Sequence, residues 1–144
     1  MVDDRGAIAH RRPSALAVVA VGGAIGTLGR YCVGLVFPVS PAGWPVATFM
    51  VNLVGAFALG LLLEALLRTG PDSGRRYLLR LAAGTGMLGA FTTYSTFAVD
   101  VILLVRDGSL VLAAAYAVLS VLFGVCAAGA GIVVSARIAG RRAS

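Results

Sequence analysis

Four long, charge-poor stretches govern what this chain can become: Ala15 to about Phe37, Trp44 to about Leu67, Tyr77 to Val105, and Gly108 to Ala136. Each exceeds the roughly 18 residues that mark a bilayer-crossing helix at about 1.5 Å of rise per residue, with Arg30 admitted near the far end of the first. The chain is therefore expected to be an all-α integral membrane protein of four transmembrane helices. Of its 144 residues, 59% are hydrophobic and only 12% charged, well outside the range of soluble domains. The spans form a single domain over 15–136, between a polar tail (1–14), expected to be poorly ordered, and a basic tail (137–144). No room remains within these residues for a soluble catalytic domain, so an enzyme is not expected. The first run is too long for a cleaved signal peptide and lacks a convincing small-residue cleavage site.

The third run carries no charge between Arg80 and Asp100, yet its centre is a poor helix. It reads Gly84-Thr85-Gly86-Met87-Leu88-Gly89-Ala90-Phe91-Thr92-Thr93-Tyr94-Ser95-Thr96-Phe97. Three glycines within six residues and five consecutive hydroxyl-bearing side chains lower helix propensity where lipid punishes any unpaired backbone group. Hydroxyls can relieve a broken hydrogen-bond ladder by bonding to nearby backbone. The expectation is a helix interrupted at mid-membrane. Non-helical backbone at that depth must face protein or a water-filled path, which makes the break a candidate site. Close helix packing through small residues accounts for the glycines equally well, but not for Thr92 to Thr96.

All positive charge is arginine, and its placement matters more than the net +6. Four crossings put both termini and the second loop on one side. That side holds ten arginines: Arg5, Arg11, Arg12, Arg68, Arg75, Arg76, Arg80, Arg137, Arg141 and Arg142. Arg106 lies opposite, with Arg30 near that end of its helix. The positive-inside rule then predicts both termini in the cytoplasm of a cell-membrane protein. Nucleic-acid binding is not expected of these arginines. His10 stands alone in the tail, and Cys32 and Cys126, both in apolar runs, read as small buried side chains.

Polar residues inside the other spans complete the set. Gly22 and Gly26 form a small-xxx-small pair suited to close packing. Arg30 either snorkels to the headgroups or lines a vestibule. The first loop, Pro38 to Pro45, has three prolines and Trp44 as an interfacial anchor. Thr48 and Asn52 share a helix face at i, i+4, and Asn52, the sole carboxamide, must find a partner in lipid, either a neighbouring helix or a pore. Tyr116, Ser120 and Gly124 form a stripe at i, i+4, i+8. Together with Thr92 to Thr96 these groups can line one polar track. No titratable side chain lies at a helix midpoint, which favours passive conduction over proton-coupled transport.

Three segments carry a resemblance: Gly22 to Tyr31, Thr48 to Gly60 with Val51-Asn52-Leu53-Val54-Gly55 at its core, and Gly86 to Phe97. They are similar to the CrcB/Fluc fluoride channels, and the similarity extends over all four helices. The resemblance implies an antiparallel dimer with two fluoride pores, passive export of fluoride, and a structural sodium ion at the dimer centre. It further implies that the backbone carbonyls of Gly89 and Thr92 ligate sodium, two from each subunit, as a hard cation favours oxygen. Asn52 would donate amide hydrogens to fluoride. Tyr94 and Phe97 match the family's phenylalanine box, whose ring edges suit an anion. Tyr116 and Ser120 match its polar track, Thr48 extends that track, and Arg30 matches an arginine of the first helix. Two positions depart from the pattern: Tyr94 where phenylalanine is common, and Gly124 where serine often stands.

An antiparallel homodimer needs each chain to insert both ways, yet the arginine bias here is strong. This predicts a subunit of fixed orientation paired with a homologous chain of the opposite one, as the alternative to a homodimer. Two further readings belong beside the channel: a small multidrug-type four-helix exporter, which would need an embedded acid, and a non-conducting assembly subunit, which would leave Asn52 and the hydroxyl run without purpose.

Overall fold

The structure, a computed structural model, describes residues 13–38 and 43–143, the side chains of residues 142 and 143 excepted. Arg5, Arg11, Arg12 and His10 of the N-terminal tail, residues 39–42 of the first loop and the Arg142 side chain lie outside the described residues. Helix α1 spans Pro13–Val36, opening on a proline, whose missing N–H costs nothing at a helix start. After Pro45, α2 spans Val46–Arg68. The third crossing is composite: α3 at Gly74–Leu79, a π-helical stretch at Arg80–Leu88, α4 at Gly89–Phe91 and α5 at Tyr94–Arg106. Helix α6 runs over Leu110–Ala143. Four of these assemblies are long and apolar enough to cross a membrane, and no strand occurs among the described residues.

The third span is interrupted as its sequence predicts, but the interruption begins after the glycines. Gly84, Gly86 and Gly89 remain within wide or regular helical turns, and the backbone becomes extended only at Thr92 (φ −75°, ψ 159°) and Thr93 (φ −150°, ψ 121°). The glycines instead serve contact. Helix α1 packs on the π-helical stretch and α4. A Cβ on Gly22 would strike the Ala82 carbonyl, one on Gly26 the Met87 carbonyl, and one on Gly86 the Val19 carbonyl. Backbone thus lies directly on backbone, the arrangement that small residues permit in lipid. Helices α2 and α6 pair in the same way, through Gly60 on Ala128 and Gly131 on Phe57.

Turns and charges finish the ends of the spans. Gly108 adopts φ +78° between α5 and α6, a conformation open to glycine at little cost. Arg68 pairs with Glu64 one turn earlier, and Arg80 holds Asp72 at 2.8 Å while lying 5.6 Å from the centre of the Tyr77 ring. The basic residues 137–143 continue α6, whose 34 residues make about 51 Å of helix against roughly 30 Å of hydrocarbon. Cys32 and Cys126 are exposed on the helix surfaces and not buried as the sequence suggests. The outside of such a chain is as apolar as its inside, so burial gains a small thiol nothing.

Candidate functional site

Helix α2 is shaped to receive the break. The Asn52 side-chain amide donates to the Thr93 carbonyl at 3.0 Å, and the Thr93 N–H donates to Asn52 Oδ1 at 2.7 Å. One side chain therefore grips both ends of the same residue's backbone polarity. One turn on along that face, Gly55 leaves space for the Thr92 methyl group, which a Cβ there would strike. Thr93, buried at 7% exposure, caps α5: its hydroxyl oxygen accepts the Thr96 N–H at 3.1 Å and its own proton goes to Thr96 Oγ1 at 3.0 Å. The Thr92 hydroxyl turns back to the Leu88 carbonyl at 3.0 Å. The sequence offered Thr93 only as one of the run Thr92 to Thr96 and gave it no role of its own, although a threonine followed by a hydroxyl-rich first turn is an N-cap signal.

These bonds change what the carbonyls near the break can do. In a regular helix Thr93 N–H would reach the Gly89 carbonyl and Thr96 N–H the Thr92 carbonyl. Here those donors go to Asn52 and to the Thr93 hydroxyl. The two oxygens expected to ligate a cation are the two whose helical donors are diverted. That fits a hard cation served by main-chain oxygen.

Beside the break lies a groove of about 480 Å³, walled by Asn52, Gly89, Thr92, Tyr94, Phe97 and Ser120, with Gly55, Thr93 and Gly124 also on its surface. It unites most of the predicted residues. The Phe97 ring centre stands 6.1 Å from that of Tyr94 and 5.4 Å from that of Tyr116. Tyr94 is 81% exposed in the single chain, so its ring forms the open rim. Tyr116 is fully buried behind Phe97, with Trp44 edge-on at 5.3 Å, so Trp44 packs inward in addition to any interfacial role. The Tyr116 hydroxyl donates to Asp100 Oδ2 at 3.3 Å, and the Thr48 and Ser120 hydroxyls neighbour the phenol. Ser120 Oγ is buried but forms no hydrogen bond of good geometry among the described residues. Arg30 stands apart, half-buried on α1 and not part of the groove wall.

Comparison with known proteins accords with this geometry. Residues 17–132 match the family model described as "CrcB-like protein, Camphor Resistance (CrcB)". The chain is 44% identical over 133 residues to fluoride-specific ion channel FluC 2 of Leifsonia xyli, covering 92% of this chain and 91% of that one. It is 40% identical over 140 residues to FluC 1 of Cutibacterium acnes, covering 97% and 98%. Against the FluC protein of Caulobacter vibrioides the identity is 38% over 124 residues, covering 85% and 96%.

Proposed function

We propose that this chain, which belongs to the CrcB-like family, forms a fluoride-selective channel that releases cytoplasmic fluoride passively across the cell membrane. The observation that carries the reading is the donor set along one groove. Ser120 offers a buried hydroxyl beside the Tyr116 phenol that makes no well-formed hydrogen bond, and Asn52 spends one amide hydrogen on Thr93 and keeps the second. Ring edges of Phe97 and Tyr94 add weak positive fields at the same wall. Fluoride is small and tightly hydrated, so a filter must replace its water with donors while its width refuses larger anions. Few donors, each individually weak, let the ion leave again. Tyr116 and Thr48 continue the polar line behind Phe97, and Arg30 concentrates anions at a mouth without binding them tightly.

The partner arrangement follows from the same groove. The polar groups that Asn52 and Thr92 bring to the groove are costly beside hydrocarbon, and a second subunit would cover them. The proposed assembly is an antiparallel dimer with two pores, and a sodium ion at its centre held by the Gly89 and Thr92 carbonyls of each subunit. Sodium bound by those carbonyls would supply a fixed positive charge between the two broken helices. Ten arginines on one predicted side favour a partner that is a homologous chain of opposite orientation.

A fluoride-electrode efflux assay on the complete channel in liposomes tests the function. Release of fluoride but not chloride, unchanged when the proton gradient is collapsed, is the expected result. Proton movement driven by a cationic drug would replace the channel with an exporter, and silence from an assembled dimer would leave only an assembly role.

A further inference from the structure

We infer that Asn52 is the positioning residue that builds the cation site: its carboxamide acts as a substitute peptide group, takes the Thr93 N–H away from Gly89, and thereby leaves the Gly89 carbonyl open to a hard monovalent cation. The inference rests on the sodium reading above and assigns its origin to one side chain on a different helix.

Two independent features of α2 support it. The reciprocal pair of bonds uses both functions of the amide on one residue, Thr93, at 2.7 and 3.0 Å. An Asn placed only to present hydrogens to an anion has no need to accept a backbone N–H. Gly55, three residues further along that face, is open to the Thr92 methyl, so α2 accommodates the residue before the clamped one as well. Without Asn52 Oδ1, the freed Thr93 N–H needs a new partner in a medium that offers none, and the Gly89 carbonyl four residues back is the helical one. Closing that bond would extend α4 through the break and withdraw an oxygen from the cation. The same amide faces the groove, so one residue links the cation at the subunit contact to the anion path beside it.

The acceptor oxygen carries the effect, which separates two nearly isosteric variants. Asn52→Asp keeps an oxygen for the Thr93 N–H, whereas Asn52→Leu offers nothing. The measurement is the sodium concentration that half-maximally raises the thermal midpoint of the purified dimer, with N-methylglucamine as the replacement cation, alongside fluoride efflux. Fluoride efflux is expected to fall in both variants. The sodium response of Asn52→Asp is expected to stay within about threefold of the parent, while that of Asn52→Leu moves to concentrations higher by about tenfold, the equivalent of roughly one hydrogen bond. Gly55→Ala, which pushes Thr92 away from α2 and leaves the amide intact, is expected to move it in the same direction and serves if the Leu variant does not assemble. A Leu or Gly55→Ala dimer that answers sodium at the parent's concentration would overturn the inference and leave the sodium reading standing. A parent dimer that ignores sodium while conducting fluoride would overturn both.

Discussion

A hydroxyl buried without a partner is costly, about 1–3 kcal/mol, unless something visits it. Ser120, whose hydroxyl lies beside the Tyr116 phenol without a well-formed hydrogen bond, carries part of that cost. Ser120→Ala should therefore leave the thermal midpoint of the dimer unchanged or slightly higher while lowering fluoride efflux by about tenfold, because the lost interaction is one made with the ion. A lower midpoint with unaltered efflux would mark the serine as packing. Tyr116 is the opposite case. Its phenol is the hydrogen-bond donor given to the buried Asp100, so Tyr116→Phe strands a carboxyl group and should destabilise the dimer by about 1–3 kcal/mol, read as a fall in thermal midpoint. Gly124 meets nothing within 4 Å where a Cβ would sit, so a side chain there enters open groove. Gly124→Ser should assemble at least as well as the parent, since glycine in a helix costs roughly 0.5–1 kcal/mol, and its added hydroxyl should raise efflux. At this scale the sequence singled out Asn52, Phe97 and Ser120 as candidates, because a polar or aromatic group in a lipid-buried stripe has few uses, and the three share one groove wall. It did not single out Thr93 as the residue that Asn52 clamps, because one of five neighbouring hydroxyl residues is distinguished only by which of them meets α2. Asp100 was visible as an acid near the end of its span, but its pairing with Tyr116 depends on how α5 lies against α6.

The third span is the element on which the site depends, and its division of labour was only partly legible. That the ladder fails near mid-membrane followed from residue types. Where it fails did not, because glycine lowers helix propensity and also permits backbone contact, and sequence alone does not say which use prevails. The contact of α1 on the π-helical stretch decides it: Gly22, Gly26 and Gly86 are positions of approach, and the hydroxyl residues after them make the break. Wide π turns recur at functional sites and require local mismatch that propensity does not encode. Two substitutions separate the roles. Gly26→Leu should drive α1 off the Met87 carbonyl and abolish the folded dimer on size exclusion. Thr93→Ala removes the cap of α5 and should lower stability by roughly 1 kcal/mol, with Thr93→Ser restoring most of it.

At the scale of the whole molecule, the single chain is unfinished. Apolar side chains cover most of its exterior, as lipid requires, yet the groove opens that exterior to Asn52 and Thr92. In the proposed assembly a partner closes it, and charge distribution governs which partner. Glu64 and Asp72 each pair with an arginine, Arg68 and Arg80, on the arginine-rich side, and these pairs reduce the local charge without reversing the bias of ten arginines against two. Acidic residues contribute little to orientation, so the bias should hold during insertion and fix N-terminus and C-terminus in the cytoplasm. An antiparallel dimer of such chains then lacks its second half unless a related chain with reversed arginine placement supplies it. The expected outcome is that this chain, expressed alone with compartment-specific reporters at its termini, inserts in one orientation and yields fluoride efflux only when a homologue of opposite orientation is supplied. Equal populations in both orientations, with efflux from the chain alone, would instead establish the homodimer and show that assembly overrides the arginine bias.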